Sequence, residues 1–280
     1  MTAATPAPAR QLTRRVVTGL VVAGFGFASV LWTWTFALMV LAIALGCLWE
    51  LDRLSARKGQ ELVFPVAAAA VTAFIVLAQF KLLHQYDRQL IVATMLGAFA
   101  VSLFGSRTGY FARSAYTLLG VLYIGQLLSY FVTLRNVPEG GMAYTFMALV
   151  LIAFTDIFAM LVGTSIGRTP MTAISPRKTW EGAAGGLAAA TLAGAAFALL
   201  GAVHMPWWHG AIIGALTSLA AQAGDLVESA LKRDALVKDA GTAIGSHGGW
   251  LDRFDSYIFG GVAFYGALWI TGHLGGTPSG

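Results

Sequence analysis

Between Ser229 and Asp255 the chain crowds lysines, arginines, carboxylates and glycines into one short run, although only 11% of its residues are charged. The run offers Lys232, Arg233, Lys238 and Arg253 as cations, and Asp239, Asp252 and Asp255 as carboxylates. Carboxylates supply the hard oxygen ligands that Mg²⁺ prefers, with substrate phosphates and water completing its shell. Arginine meets phosphate as a planar bidentate fork and lysine as a point charge. Gly245, Gly248 and Gly249 are expected to adopt the strained backbone of an anion-binding nest. Together these are the parts of a phosphoryl- or nucleotidyl-transfer site. His247 is ambiguous: it is a catalyst or a plain hydrogen-bonding residue, and no second His or Cys stands at zinc spacing.

Further carboxylates lie in apolar surroundings. Asp225 and Glu228 are three apart and share a helix face with Lys232, four residues beyond Glu228. Asp156 sits within Phe154-Thr-Asp-Ile-Phe158. A carboxylate at bilayer depth costs about 2.5–3.5 kcal/mol or more, so each should face a polar cavity or a partner. The plainer alternative for Glu228 is an ion pair at a helix end. A second polar cluster runs Ser175-Pro-Arg177-Lys178-Thr179-Trp180-Glu-Gly182. Its cations can meet phosphate and Trp180 a base or the lipid interface; alone, the same loop also reads as a positively charged interfacial turn.

The elements that must position these groups are membrane spans. The chain is 57% apolar, and a bilayer core of about 30 Å takes about 20 apolar residues per helix. By that measure nine spans are expected, near 16–31, 33–50, 64–81, 90–106, 115–133, 141–163, 183–203, 209–230 and 256–273. The predicted fold is therefore all-α and polytopic, with residues 1–13 as a disordered cytoplasmic tail, 14–140 as N-terminal spans and 141–280 as the catalytic region. A signal peptide over 10–31 is the rival reading of the start, weakened because the apolar stretch runs on almost at once.

Lysine and arginine favour the cytoplasmic side. With the N-terminus inside, the tail and the loops near 51–63, 107–114, 164–182 and 231–255 are cytoplasmic. Of the 18 basic residues, only Lys81, Arg88 and Arg135 then fall outside that face. The net charge of +5 thus sits on loops that suit anionic headgroups, so membrane lipids rather than nucleic acid are the expected partners. The single Cys47 excludes an internal disulfide. Whether the chain forms a homodimer is left open. A transporter or channel is disfavoured because the polar groups cluster at one face, whereas transporter sites lie near the midplane, commonly between internal repeats.

The run from Ser229 to Asp255 resembles the signature of phosphatidate cytidylyltransferases, the CDP-diacylglycerol synthases. Ser229, Lys232, Arg233, Lys238, Asp239, Gly241, Gly245, His247, Gly248, Gly249, Asp252, Arg253 and Asp255 match it in identity and spacing. The Ser175–Gly182 loop is similar to the family's S-P-x-K-T-W-E-G, and Asp156 with Ala159 and Gly163 resembles a third segment. Trp250 stands where an aliphatic residue is usual, and Ile157-Phe158 replace small residues, which puts the role of Asp156 in question. The resemblance covers roughly residues 150–260; the first half resembles the family only as a series of apolar spans.

It implies transfer of the cytidylyl group of CTP to phosphatidic acid, giving CDP-diacylglycerol and pyrophosphate, at the cytoplasmic face of a bacterial inner membrane. It implies Mg²⁺, as one ion or a pair, held by Asp225 and Asp252. Asp239, Asp255, Lys238 and His247 join these as catalytic candidates. Asp156, Ser175, Arg177, Lys178, Thr179, Ser229, Lys232, Arg233, Gly248, Gly249 and Arg253 are expected to bind substrate. The rivals within chemistry are a polyprenol kinase or a relative that activates another lipid.

Overall fold

The computed structural model describes residues 24, 26–104, 109–237, 240–241 and 249–274. The 1–13 tail, most of the 16–31 span, and Lys238, Asp239, Gly245, His247 and Gly248 lie outside the described residues.

The architecture is all-helical. The elements are α1 (Thr33–Ala56), α2 (Phe64–Gln79), α3 (Leu83–Ser102), α4 (Tyr110–Arg135), α5 (Gly141–Ile166), α6 (Trp180–Leu199), α7 (Trp207–Asp234) and α8 (Leu251–Ile270). Among the described residues the one strand-like pairing is an isolated bridge between Pro170 and Thr179. Five helices, α1, α4, α5, α6 and α7, are long and apolar enough to cross a membrane. α5 is the clearest case, with a mean hydropathy of 2.3 over its most apolar window.

Two boundaries differ from expectation in a way that matters. α7 continues to Asp234, so Lys232 and Arg233 belong to its last turn rather than to a loop. Cations there face the negative end of the helix dipole, which favours one more turn. α8 begins at Leu251, so Asp252 and Asp255 are both helical and one turn apart. Midway along α4, Val121–Gln126 is a π-helical turn.

Small residues set the register of the last spans. On α6, Gly182, Gly186, Ala190 and Gly194 recur every four residues and are buried. A Cβ on Gly194 would overlap the carbonyl of Gly210 on α7, and one on Gly214 would overlap that of Ala190. Nearer the other end Gln222 Nε2 donates to the Ala183 carbonyl at 3.2 Å. Such close backbone approach is the usual means of helix association in lipid, where the hydrophobic effect gives no net pull between helices. The same antiparallel register, carried one turn further, sets Lys178 opposite Asp225. Gly224 does the equivalent between α7 and α8: a Cβ there would collide with the Asp255 carbonyl and the Phe259 side chain.

The two ends of the bundle have different chemistry. One gathers residues 57–63, 167–179, 235–237 and 240–241, tied by the Lys58–Asp234 ion pair and by Arg233 Nε, which donates to the Ile174 carbonyl at 3.3 Å. At the other end Arg135 Nε donates to the Val30 carbonyl at 2.6 Å and the His209 and His273 rings meet at 2.7 Å. A cavity of about 1000 Å³, lined in part by Lys81, His84, Glu139, His204 and Tyr265, lies at this second end, away from the clustered carboxylates.

Candidate active site

α7 and α8 bring three carboxylates together. One oxygen each from Asp225, Glu228 and Asp255 lies within 4.8 Å of the others. The i, i+3 spacing of Asp225 and Glu228 puts both on one face of α7, and Gly224 beside them lets Asp255 of α8 approach. Glu228 is fully buried and Asp255 nearly so, while the Asp225 side chain is 36% exposed. The trio therefore has a sealed side and an open side.

Two lysines face it from different elements. Lys178 Nζ is 2.6 Å from Asp225 Oδ1 and 3.4 Å from the Ser229 hydroxyl. Lys232 Nζ lies between Glu228 Oε2 at 2.6 Å and Asp252 Oδ1 at 2.7 Å. The contact with Glu228 is an ion pair without hydrogen-bond alignment, and both Glu228 oxygens are buried with no hydrogen-bond partner among the described residues. Four carboxylates thus share two ammonium groups, and burying that excess of negative charge is costly unless another cation joins. The donors are all oxygens, the set suited to a hard divalent ion such as Mg²⁺.

Asp252 borders the trio beside Glu228, the two carboxylates sharing Lys232. Its Oδ2 accepts from the amides of Gly249 at 2.9 Å and Ala240 at 3.0 Å, clasping both ends of the segment between them. Gly249 does not serve as a nest residue: its φ is not in the left-handed region and its N–H is spent on Asp252. Asp156 of α5 joins the edge of the site by accepting from the Ser256 hydroxyl at 3.0 Å, next to Asp255.

The 167–179 loop is a small hairpin. Met171 N donates to the Lys178 carbonyl at 2.8 Å and Trp180 N to that of Thr169 at 2.9 Å. The Ser175 carbonyl accepts from Lys178 N at 3.0 Å. Thr179 is the N-cap of α6, its hydroxyl accepting from Gly182 N at 3.1 Å, so its visible work is to start the helix. The Glu181 carboxylate accepts from the amides of Arg168 and Thr169 and closes the loop's base. Arg177 and Arg253 are exposed, the former at the hairpin tip and the latter on the first turn of α8.

Two groups near the site escaped the sequence reading. Tyr123, on the π-helical turn of α4, has a buried hydroxyl with no hydrogen-bond partner among the described residues, within electrostatic reach of Asp255 and Glu228. Such turns recur at functional sites, but nothing in the sequence marks this one. Glu50 on α1 is the second. It was legible only as a carboxylate at the end of an apolar run.

An all-helical membrane bundle with converging carboxylates and lysines at one end defines a membrane enzyme of the nucleotidyl-transfer class. A cytidylyltransferase family model matches residues 12–271. The phosphatidate cytidylyltransferase of Bacillus subtilis is 33% identical over 253 residues, covering 88% of this chain and 93% of that protein. That of Synechocystis is 33% identical over 285 residues with the same coverage, 88% and 93%. That of Mycobacterium bovis is 40% identical over 130 residues, 45% of this chain and 41% of its own. The chain belongs to the cytidylyltransferase family, as the Ser229–Asp255 run implied.

Proposed function

We propose that the chain transfers the cytidylyl group of CTP to phosphatidic acid, giving CDP-diacylglycerol and pyrophosphate, at the cytoplasmic face of a bacterial inner membrane. The observation that carries this reading is the meeting of Asp225, Glu228 and Asp255 with Lys178 and Lys232 at one end of the bundle. Similarity to phosphatidate cytidylyltransferases over nearly the whole chain supplies the substrates.

A phosphate oxygen of the lipid attacks the α-phosphorus of CTP. The new bond is O–Pα, the bond broken joins Pα to the β-phosphate bridging oxygen, and pyrophosphate leaves with that electron pair. A phosphate monoester is already anionic, so no strong base is required, and catalysis rests on alignment and charge neutralisation. Lys178 is placed to exchange its pairing with Asp225 for a phosphate oxygen, because that pair is on the open side of the trio. Arg177 at the hairpin tip and Arg233 behind it extend the same cationic surface. Lys232 balances Glu228 and Asp252 from within.

The trio Asp225, Glu228 and Asp255 would hold Mg²⁺, with Asp252 steadying the loop. Bound there, the ion supplies neutralisation of the attacking and leaving oxygens. The location fits both substrates: CTP arrives from water and the lipid headgroup lies at the leaflet surface, so a site at helix ends lets them meet.

The test is radiolabelled CTP with phosphatidic acid and the purified protein in detergent, with and without chelator. Label in the lipid-soluble product, lost with chelator and restored by Mg²⁺, is the expected result. Label transferred only to another lipid phosphate, or none at all, overturns it.

A further inference from the structure

The geometry points to Glu50 of α1 as a positioning residue for cytidylyl transfer: a buried carboxylate from the N-terminal half that holds Gly241, residues 249–251 and the start of α8 in working register. This rests on the function proposed above.

Glu50 is 1% exposed, in a helix whose other buried residues are almost all apolar. Its Oε2 accepts from Leu251 N at 2.8 Å, the first residue of the helix that carries Asp252 and Asp255. Its Oε1 is buried with no hydrogen-bond partner among the described residues. Two glycines of the segment press on the same carboxylate. A Cβ on Gly241 would come within 2.5 Å of Oε1, and one on Gly249 would overlap both oxygens. Neither glycine has a left-handed φ. These glycines are therefore required by the close approach of Glu50 rather than by backbone strain.

One turn earlier on α1, Gly46 leaves room for the Trp250 indole, whose ring atoms a Cβ would strike. So α1 presents a flat place and then an acceptor to residues 249–251. From the opposite side Asp252 Oδ2 binds the amides of Ala240 and Gly249. Glu50 thus bonds Leu251 and packs against Gly241 and Gly249, while Asp252 bonds Ala240 and Gly249 and passes the constraint to Lys232 at 2.7 Å and so to Glu228. A carboxylate buried at such cost among apolar neighbours is poorly explained by stability alone. It is well explained if the register of Asp252 and Asp255 against Asp225 has to be held to a fraction of an ångström, because misplaced charge near a transferring phosphoryl group costs rate steeply.

The experiment is a mutant cycle on the full chain in detergent, with wild type, Glu50→Gln, Glu50→Ala, Gly249→Ala and the Glu50→Ala/Gly249→Ala double variant. kcat and KM for both substrates are measured beside the thermal midpoint. Glu50→Ala removes the acceptor for Leu251 N, and its kcat should fall about 10–100-fold, the range seen when groups orienting a metal site are removed, whereas Glu50→Gln keeps the shape and an acceptor and should stay within about threefold of wild type. KM should change less than about threefold and the midpoint by only a few degrees. Gly249→Ala should cost a comparable factor alone and little more when Glu50 is already Ala, since the clash is gone.

Amide exchange at 249–252 should quicken in Glu50→Ala without any substrate present. That readout separates this inference from the reaction: a wild-type protein without CTP turnover sinks the function, while unchanged exchange sinks Glu50. Wild-type kcat in Glu50→Ala, a Glu50→Gln variant as impaired as Glu50→Ala, a loss of kcat that merely follows a collapsing midpoint, or independent multiplicative effects in the cycle would each overturn the inference. If Glu50→Ala does not fold, Gly249→Ala carries the test through kcat and exchange, with Glu50→Gln as the variant that keeps both.

Discussion

The ammonium of Lys178 lies 2.6 Å from a carboxylate oxygen of Asp225, joining the hairpin before α6 to the open side of the proposed site on α7. The pair is made by glycine packing: the α6–α7 register that lets Gly194 face Gly210 also delivers Lys178 to Asp225.

Because this pair is partly open to solvent, the lysine can leave Asp225 for a phosphate. Lys178→Ala is expected to lower kcat/KM for CTP by about 10–100-fold, the scale of one or two lost charge-assisted contacts, with Lys178→Arg partly active. Steady-state kinetics with varied CTP decide it, and an unchanged kcat/KM would remove Lys178 from the phosphate path.

Asp225→Asn, Glu228→Gln and Asp255→Asn should each abolish turnover while the protein still extracts and elutes as folded material. Asp234→Asn, which breaks only the exposed pair with Lys58, should stay within about twofold of wild type. Removal of divalent ions should abolish wild-type activity, and titrating Mg²⁺ back should restore it. Robust turnover in any two of the three trio variants would rule out the proposed ligand set.

Lys232 answers two carboxylates at once, Glu228 fully buried and Asp252 with 11% of its side chain exposed. Lys232→Ala leaves both without their shared cation, and removing one partner of a buried pair costs about 3–5 kcal/mol. A clear fall in thermal midpoint should therefore accompany its loss of activity, unlike Lys178→Ala. A midpoint equal to wild type would show that the charges are compensated in another way.

At the opposite end, His273 follows α8 and its ring contacts His209 at 2.7 Å. Burial first, and then the charge of His209, lower its pKa from the ordinary value of 6.5. A histidine depressed in the fold is held neutral there, so its contribution is full above about 6.5 and is lost as pH falls toward the folded value. The thermal midpoint in detergent should drop between about pH 7 and about pH 5, and His273→Ala should flatten that slope. Identical pH profiles would show that the ring contact carries no stability.

Much of the fold was legible because a bilayer demands long apolar runs: α5 is expected near 141–163 and is found at Gly141–Ile166. The ends were less legible. The apolar runs stop near 230 and resume near 256, yet α7 reaches Asp234 and α8 starts at Leu251, since charged residues at helix ends are stabilised by capping and dipole effects that hydropathy does not register. Gly249, one of the glycines expected to allow an anion-binding nest, lies against Glu50, whose carboxylate a Cβ there would overlap.

What the sequence determined by itself is the class: a polytopic helical membrane protein whose Ser229–Asp255 run and Ser175–Gly182 loop resemble those of phosphatidate cytidylyltransferases. Apolar run length reveals the spans and helix periodicity the near neighbours that share a face, while the chemistry came from the motif resemblance. Only the tertiary structure decided that Asp255 joins Asp225 and Glu228, that Lys178 meets Asp225, and that Glu50 reaches Leu251 from the far half of the chain. Those pairings depend on how closely two backbones approach and in what register, and that follows from glycines on different helices acting together.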